Sequence, residues 1–112
     1  TLAVNYFGMA RVVDALLPQL RAHARVALVS SGMGDRDKLA PPLRAEFDMG
    51  RLTRARLDAL MQRFVDDVAA GRHTAAGWPS SAYSVSKIGV TALAHLLARD
   101  LAGDPRRLRI NS

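Results

Sequence analysis

The feature that most constrains the fold is a short apolar segment that lies between two helical patterns. Residues 25–31 (RVALVSS) have a continuous apolar centre with polar residues on both sides. This pattern is typical of a parallel β-strand that is covered on both faces. Because parallel strands are joined by crossover connections that usually contain helices, the segment predicts an alternating α/β fold.

The flanking residues fit that prediction. Apolar residues recur at every third or fourth position up to Pro18, where an amphipathic helix is expected to end. A second helix is expected from a cap at Thr53 to Gly71. Its apolar face is predicted to comprise Leu57, Leu60, Met61, Phe64, Val65 and Val68.

The second half of the chain predicts a helix and a strand. Ser80 or Ser81 is expected to start a long helix that Gly103 closes, and a strand is expected from Leu108. Residues 32–42 are predicted to form a loop because Gly and Pro recur there.

Both ends of the sequence carry secondary-structure patterns. The first residues lie inside a helical pattern without a cap, and the last residues lie in a predicted strand. Terminal backbone groups of such elements need partners. We therefore expect residues 1–112 to be an incomplete, internal part of a larger α/β domain.

Composition excludes several classes of function. The chain has no cysteine, which excludes disulfide scaffolds, thiol catalysis and cysteine-ligated metals. The formal net charge is +6, but the 16 lysines and arginines are scattered and aromatics make up 5% of residues. A nucleic-acid partner is therefore not expected, since basic residues clustered on one face are the usual footprint.

Metal and membrane sites are not expected either. His23, His73 and His95 lack metal-ligand spacing. No apolar run approaches the ~20 residues that span a bilayer, and no signal-peptide pattern is present, so a cytoplasmic protein is expected. Asp66 and Asp67 are adjacent and are expected to be solvated charges rather than an acid–base pair.

Tyr83 and Lys87 are the strongest candidates for chemistry. Residues four apart project from the same face of a helix. A free phenol is a weak acid at neutral pH, and a nearby ammonium favours its ionised form. The pair could therefore transfer protons. The alternative is an unrelated Tyr and Lys on a helix surface.

Two further residues have candidate roles and simpler alternatives. Ser31 follows the predicted strand, where open α/β sheets place their ligand crevice, although it could merely turn the chain. Asn5 lies within a helix, where an amide side chain often binds backbone or water; it could instead lie exposed near a frayed end.

Together, Asn5, Ser31, Tyr83 and Lys87 match a family pattern. The sequence resembles the short-chain dehydrogenases/reductases, and within them the carbonyl reductases. Residues 77–83 (GWPSSAY) are the most specific match, whereas the Tyr-Lys pair marks only the broad family. The other similar segments are residues 5–8 (NYFG), 16–18 (LLP), 25–33 (RVALVSSGM), 61–67 (MQRFVDD) and 87–91 (KIGVT).

The resemblance implies a role for each residue. Tyr83 would be the general acid that protonates a carbonyl oxygen, and Lys87 would assist Tyr83 and hold the nicotinamide ribose. Ser31 would bind the substrate oxygen, and Asn5 would anchor a water linked to Lys87. Met33 would line the substrate pocket, although a loop methionine could instead pack on the core. The implied cofactor is NADPH, and the implied partner is a small-molecule carbonyl substrate.

The resemblance also implies an architecture. The chain would be the central to C-terminal part of a Rossmann-type doubly wound parallel sheet. The family's Gly-rich phosphate loop is absent, so residues 1–112 alone are expected to bind cofactor poorly. Residues 35–79 resemble an insertion of the carbonyl reductases that covers a surface used for tetramer contacts, which implies a monomer.

The sequence therefore predicts an NADPH-dependent reductase of aldehydes, ketones or quinones. The first alternative is a catalytically silent relative that binds a nucleotide or a partner protein. The second is a basic scaffold that binds nucleic acid, which would show steeply salt-dependent DNA binding.

Overall fold

The computed structural model covers residues 1–112. They form an α/β structure in which helices pack on a two-stranded sheet. The first helix has a π-helical turn at its start, a regular α-helical part (α1) and a 3-10 turn at its end. Its three parts are Ala3–Gly8, Met9–Leu16 and Leu17–Gln19. The elements that follow are β1 (Arg25–Ala27), 3-10 turns at Gly32–Gly34 and Arg36–Lys38, α2 (Pro41–Glu46), α3 (Arg54–Ala69), α4 (Ala82–Asp100) and β2 (Arg109–Asn111).

The two strands are parallel, which confirms the predicted strand orientation. Val26 pairs with Ile110, and the ladder ends where the Leu28 amide donates to the Asn111 carbonyl oxygen (2.8 Å). β1 is therefore shorter than the predicted residues 25–31. The prediction that both faces of this segment are covered is also wrong, because Val29 is 72% exposed. Beyond the ladder, the chain turns away from β2 into the 3-10 turn at Gly32–Gly34.

Side-chain caps set the starts of the two long helices. The Thr53 hydroxyl oxygen accepts from the Arg56 amide (3.2 Å), and the Ser81 hydroxyl oxygen accepts from the Ser84 amide (3.2 Å). Thr53 is thus confirmed as a cap, and Ser81 rather than Ser80 starts α4. Gly71 follows α3 with a φ of +70°, a conformation that suits glycine at a helix end.

A short helix begins inside the segment that was predicted to be a loop. Pro41 and Pro42 occupy the first positions of α2, where the missing amide hydrogen costs nothing and the fixed φ suits a helix. The pattern of Gly and Pro therefore indicated the turns at Gly32–Gly34 and Arg36–Lys38 but not α2.

The core lies where the first helix, α3 and α4 meet. Tyr6, Leu57, Met61, Phe64 and Ile88 are almost fully buried there. The predicted apolar face of α3 is wrong at its C-terminal end, since Val65 and Val68 are 38% and 43% exposed. None of the helices combines the length and apolar character that a membrane crossing requires.

Gly89 lets three helices approach one another closely. A Cβ atom at this position would lie 2.6 Å from Met61 Sδ and 2.9 Å from a Tyr6 ring carbon. Because both neighbours are buried, we expect Gly89→Ala to lower the free energy of unfolding by about 1–2 kcal/mol despite the better helix propensity of Ala. Chemical denaturation measures this. Gly103→Ala is the control, since no neighbouring atom lies within 4 Å of a Cβ placed on Gly103. An equal loss of unfolding free energy in this control would contradict the explanation by close packing at Gly89.

An ion pair shapes the turn that leads into β2. Arg106 donates from its backbone amide and its guanidinium to Asp104, and also to the Leu17 carbonyl oxygen (2.7 Å). The hydrogen bonds from Arg106, the side-chain bond first, hold the pKa of the Asp104 carboxyl below its ordinary value.

This pKa shift predicts a pH-dependent stability difference. A carboxyl with a lowered pKa in the folded state stabilises the fold above its ordinary pKa, and the contribution is lost as pH falls through the lowered value. We expect Asp104→Asn to lower the melting temperature at pH 7 and the difference from the unmodified protein to shrink near pH 2. A difference of the same size at both pH values would contradict this assignment.

Candidate active site

Tyr83 and Lys87 occupy the first turns of α4, as the spacing predicts. The Lys87 ammonium lies over the Tyr83 ring, 5.6 Å from the ring centroid. Tyr83 is 42% exposed, so its hydroxyl-bearing ring is accessible from solvent. The structure thus places a cation over the face of an accessible tyrosine ring.

Lys87 also connects α4 to the segment after β1. Its ammonium donates to the Val29 carbonyl oxygen (2.9 Å). The Ser30 hydroxyl contacts the Thr91 hydroxyl one turn further along α4. These contacts hold the chain that leaves the carboxyl end of β1 against the face of α4 that carries Lys87.

Ser31 caps the 3-10 turn at Gly32–Gly34. Its hydroxyl oxygen accepts from the Met33 amide (3.2 Å), which is the turning role that the sequence left as an alternative. A hydroxyl that accepts a hydrogen bond can still donate its own hydrogen, so this cap is compatible with binding a substrate oxygen.

An open hollow of about 410 Å³ lies beside Ser31. Its lining residues are Ser30, Ser31, Gly32, Gly34, Asp35, Thr91 and Ser112. Neither Tyr83 nor Met33 belongs to this lining, and Met33 is 44% exposed. The structure therefore groups Ser31 with the loop and with Thr91, while Tyr83 and Lys87 form a pair on α4.

Asn5 lies in the π-helical turn of the first helix and contacts α4. Its Nδ2 donates to the hydroxyl of Ser86 (3.2 Å), and that hydroxyl donates to the Tyr83 carbonyl oxygen (2.7 Å). Asn5 is thus half-buried and bound to α4 through Ser86, rather than exposed at a frayed end. Single π-helical turns within helices often occur at functional sites.

Ser86 is a residue of this site that the sequence did not predict. Its side chain is fully buried, and it joins Asn5 to the backbone of the first turn of α4. A serine inside a helix often bonds the carbonyl of the preceding turn, which is an ambiguous pattern. Only the contact with Asn5, far away in sequence, makes Ser86 part of the site.

Tyr6 anchors the first helix to α3. Its hydroxyl donates to the Asp58 carboxylate (2.6 Å), and Arg54 bridges Asp58 and Asp14. Burial, followed by the hydrogen bond to Asp58, raises the pKa of Tyr6 far above its ordinary value. Tyr6 therefore stays protonated and serves as a structural donor beside Asn5.

Asp67 differs from its expected role. Asp66 is exposed, as predicted, but Asp67 is only 6% exposed. Its carboxylate accepts from Trp78 Nε1 (3.0 Å) and from Arg72 Nε (3.2 Å). The prediction of a solvated charge is therefore wrong for Asp67, because the turn after α3 brings an indole and a guanidinium onto it. No group of His, Asp or Glu in the structure is arranged to hold a metal ion.

Comparison with known proteins gives consistent results, although no family model matches the chain. It is 41% identical over 112 residues to carbonyl reductase (NADPH) 1 of Pongo abelii, covering 98% of this chain and 40% of that protein. It is 42% identical over 103 residues to carbonyl reductase (NADPH) 3 of Rattus norvegicus, covering 90% of this chain and 37% of that protein. The chain thus spans about 40% of the length of such relatives.

A solved structure supports the same relationship. Salutaridine reductase from Papaver somniferum superposes with a TM-score of 0.86 at 28% identity, over 98% of this chain and 38% of that one. The agreement covers the parallel strands and the helices that carry Asn5, Tyr83 and Lys87. The chain therefore belongs to the short-chain dehydrogenase/reductase family and is similar to its carbonyl reductases.

Proposed function

We propose that the protein containing this chain is an NADPH-dependent carbonyl reductase that acts on aldehydes, ketones or quinones. The observation that carries the proposal is the Lys87 ammonium 5.6 Å from the centroid of the accessible Tyr83 ring. The identity of 41% with a protein named as an NADPH carbonyl reductase supports the choice of cofactor and of substrate class.

The proposed acid is Tyr83. NADPH, when bound, would supply the hydride. Tyr83 would donate its phenolic proton to the oxygen of the substrate carbonyl, and the product would be an alcohol. Lys87 would stabilise the negative charge that remains on the phenol oxygen after this transfer.

Lys87 and Tyr83 are also the residues of this chain that would hold the cofactor. An ammonium has three N–H donors, and the contact with Val29 uses one of them. The remaining donors could bind the hydroxyls of a ribose placed at the carboxyl end of β1, where open α/β sheets bind their ligands. The accessible position of the ammonium fits this role.

Ser31 and Asn5 would assist the transfer. Ser31 would donate its free hydroxyl hydrogen to the substrate oxygen, which stabilises negative charge that develops there. Asn5 would use its amide oxygen to anchor a water that links Lys87 to solvent, because its Nδ2 is bound to Ser86. Met33, on the exposed turn after Ser31, would contact the substrate.

The segment of residues 35–79 supports the proposal of a monomer. α3 covers the core face of α4 through Leu57, Met61 and Phe64, which are buried. We propose that the segment is an insertion that occupies a surface other family members use for assembly. Size-exclusion chromatography with light scattering tests this, and a stable tetramer would overturn it. A cytoplasmic location, with no nucleic-acid or membrane partner, stays a prediction.

The test of the function uses the full-length protein. Purified protein, NADPH and a reactive quinone should show loss of NADPH absorbance and formation of the reduced product in equal amounts. The alternative, a catalytically silent relative, predicts that NADPH binds without turnover of any aldehyde, ketone or quinone. Nucleic-acid binding as the main function would instead appear as retention on DNA that falls steeply with salt.

A further inference from the structure

A buried polar contact lies just before Tyr83 in the chain. The indole N–H of Trp78 donates to a carboxylate oxygen of Asp67 at 3.0 Å. Trp78 is 3% exposed and Asp67 is 6% exposed. Asp67 belongs to the last turn of α3, whereas Trp78 lies in the connection that leads into α4.

The contact is directional as well as buried. The Trp78 ring packs edge-on against Phe64 and Phe47, with centroids 5.3 and 6.1 Å apart. Apolar packing alone would hold a ring in this space, and burying a carboxylate costs free energy unless it is paired. The Asp67 bond therefore contributes a fixed orientation of the indole rather than extra apolar contact.

Only a short, constrained segment joins Trp78 to Tyr83. The Trp78 amide donates to the His73 carbonyl oxygen (3.0 Å), which fixes the backbone at the start of the segment. Pro79 has a fixed φ, and the Ser81 side chain caps the first turn of α4. A change in the position of the indole is thus passed to the turn that carries Tyr83.

We propose that Asp67, acting through Trp78, is a positioning residue that sets the place of Tyr83 in the active site. This inference rests on the proposed reductase function, because it assigns Asp67 a part in that same reaction. Asp67 does not touch the reacting atoms. It holds the indole, the indole holds the segment before α4, and α4 presents the phenol.

The test compares Trp78→Phe and Asp67→Ala with Asp66→Ala in the full-length protein. Trp78→Phe keeps an aromatic ring but removes the N–H, and Asp67→Ala removes the acceptor. Asp66→Ala makes the same chemical change as Asp67→Ala on the exposed neighbouring residue. We expect kcat to fall about 10-fold in the first two variants, with the KM for NADPH within about twofold, as for loss of a residue that orients a catalytic group. Asp66→Ala should match the unmodified protein.

A double variant tests whether the two residues act through one contact. If they do, Asp67→Ala combined with Trp78→Phe should have about the kcat of either single variant, because each change removes the same bond. A kcat that falls by the product of the two single effects would overturn the shared path.

Hydrogen exchange provides a measurement that does not depend on activity. The Ser84 and Val85 amides are bonded to Ser81, so they report on the first turn of α4. We expect their exchange to accelerate in Trp78→Phe and Asp67→Ala but not in Asp66→Ala. Unchanged exchange and unchanged kcat in folded Trp78→Phe would overturn the positioning role while leaving the reductase function intact. Absence of turnover in the unmodified protein would overturn the proposed reductase function. The exchange rates would still show whether the Asp67–Trp78 contact holds the first turn of α4.

Discussion

Replacing Tyr83 with Phe is expected to lower kcat for carbonyl reduction by about 10²- to 10⁴-fold, the range that loss of a general acid produces. The substitution removes the proposed proton donor but keeps the ring over which the Lys87 ammonium lies. Binding of NADPH should therefore change much less than kcat. Steady-state rates of NADPH oxidation with a quinone measure the first effect, and titration calorimetry measures the second.

The other tyrosine of the chain is the matched control. Tyr6→Phe removes a hydroxyl that is buried and bonded to Asp58. We expect it to lower the free energy of unfolding by about 1–2 kcal/mol, since Asp58 loses a hydrogen-bond donor. Its kcat should stay near that of the unmodified protein. If Tyr83→Phe retained full activity while Tyr6→Phe lost it, the assignment of the acid would be wrong.

Replacing Gly34 with Ala is expected to lower kcat by about 100-fold, the effect of displacing reacting groups by about 1 Å. A Cβ atom on Gly34 would lie 2.7 Å from the Lys87 carbonyl oxygen and 2.8 Å from its carbon. Those atoms are backbone in the interior of α4 and cannot yield at low cost. The loop must move instead, and it carries Ser31.

Gly32→Ala provides the control within the same 3-10 turn. No atom lies within 4 Å of a Cβ placed on Gly32, so the added methyl group meets open space. We expect its kcat and melting temperature to stay close to those of the unmodified protein. Rates measured side by side with NADPH and one quinone decide the comparison. Equal activity of the two variants would show that the contact between the loop and α4 is not needed for the reaction.

The caps and the spacing of the site residues could be predicted from the sequence because they depend on neighbours in the chain. Thr53 caps α3, Ser81 caps α4, and Tyr83 and Lys87 share a helix face since they are four residues apart. Each of these features is decided by the backbone geometry of one helix. Local patterns made Asn5 and Ser31 candidates, and the family resemblance added the specific roles proposed for them and for Met33.

Burial and distant contacts could not be predicted in the same way. Asp67 and Asp66 are identical in type and adjacent, yet one is buried against Trp78 and the other is exposed. The length of β1 depends on how many of its residues pair with β2. Ser86 belongs to the site only because it bonds Asn5, which lies in another helix.

The order of residues in this chain was sufficient to specify helices, caps, a parallel strand pair and a tyrosine one turn from a lysine. The folded arrangement alone decided which carboxylate is buried, where the strands separate and which side chains join α4 to the rest of the site. The reason is physical. Helix faces and caps follow from interactions across three or four residues, whereas burial and cross-element hydrogen bonds follow from which surfaces meet when the chain packs.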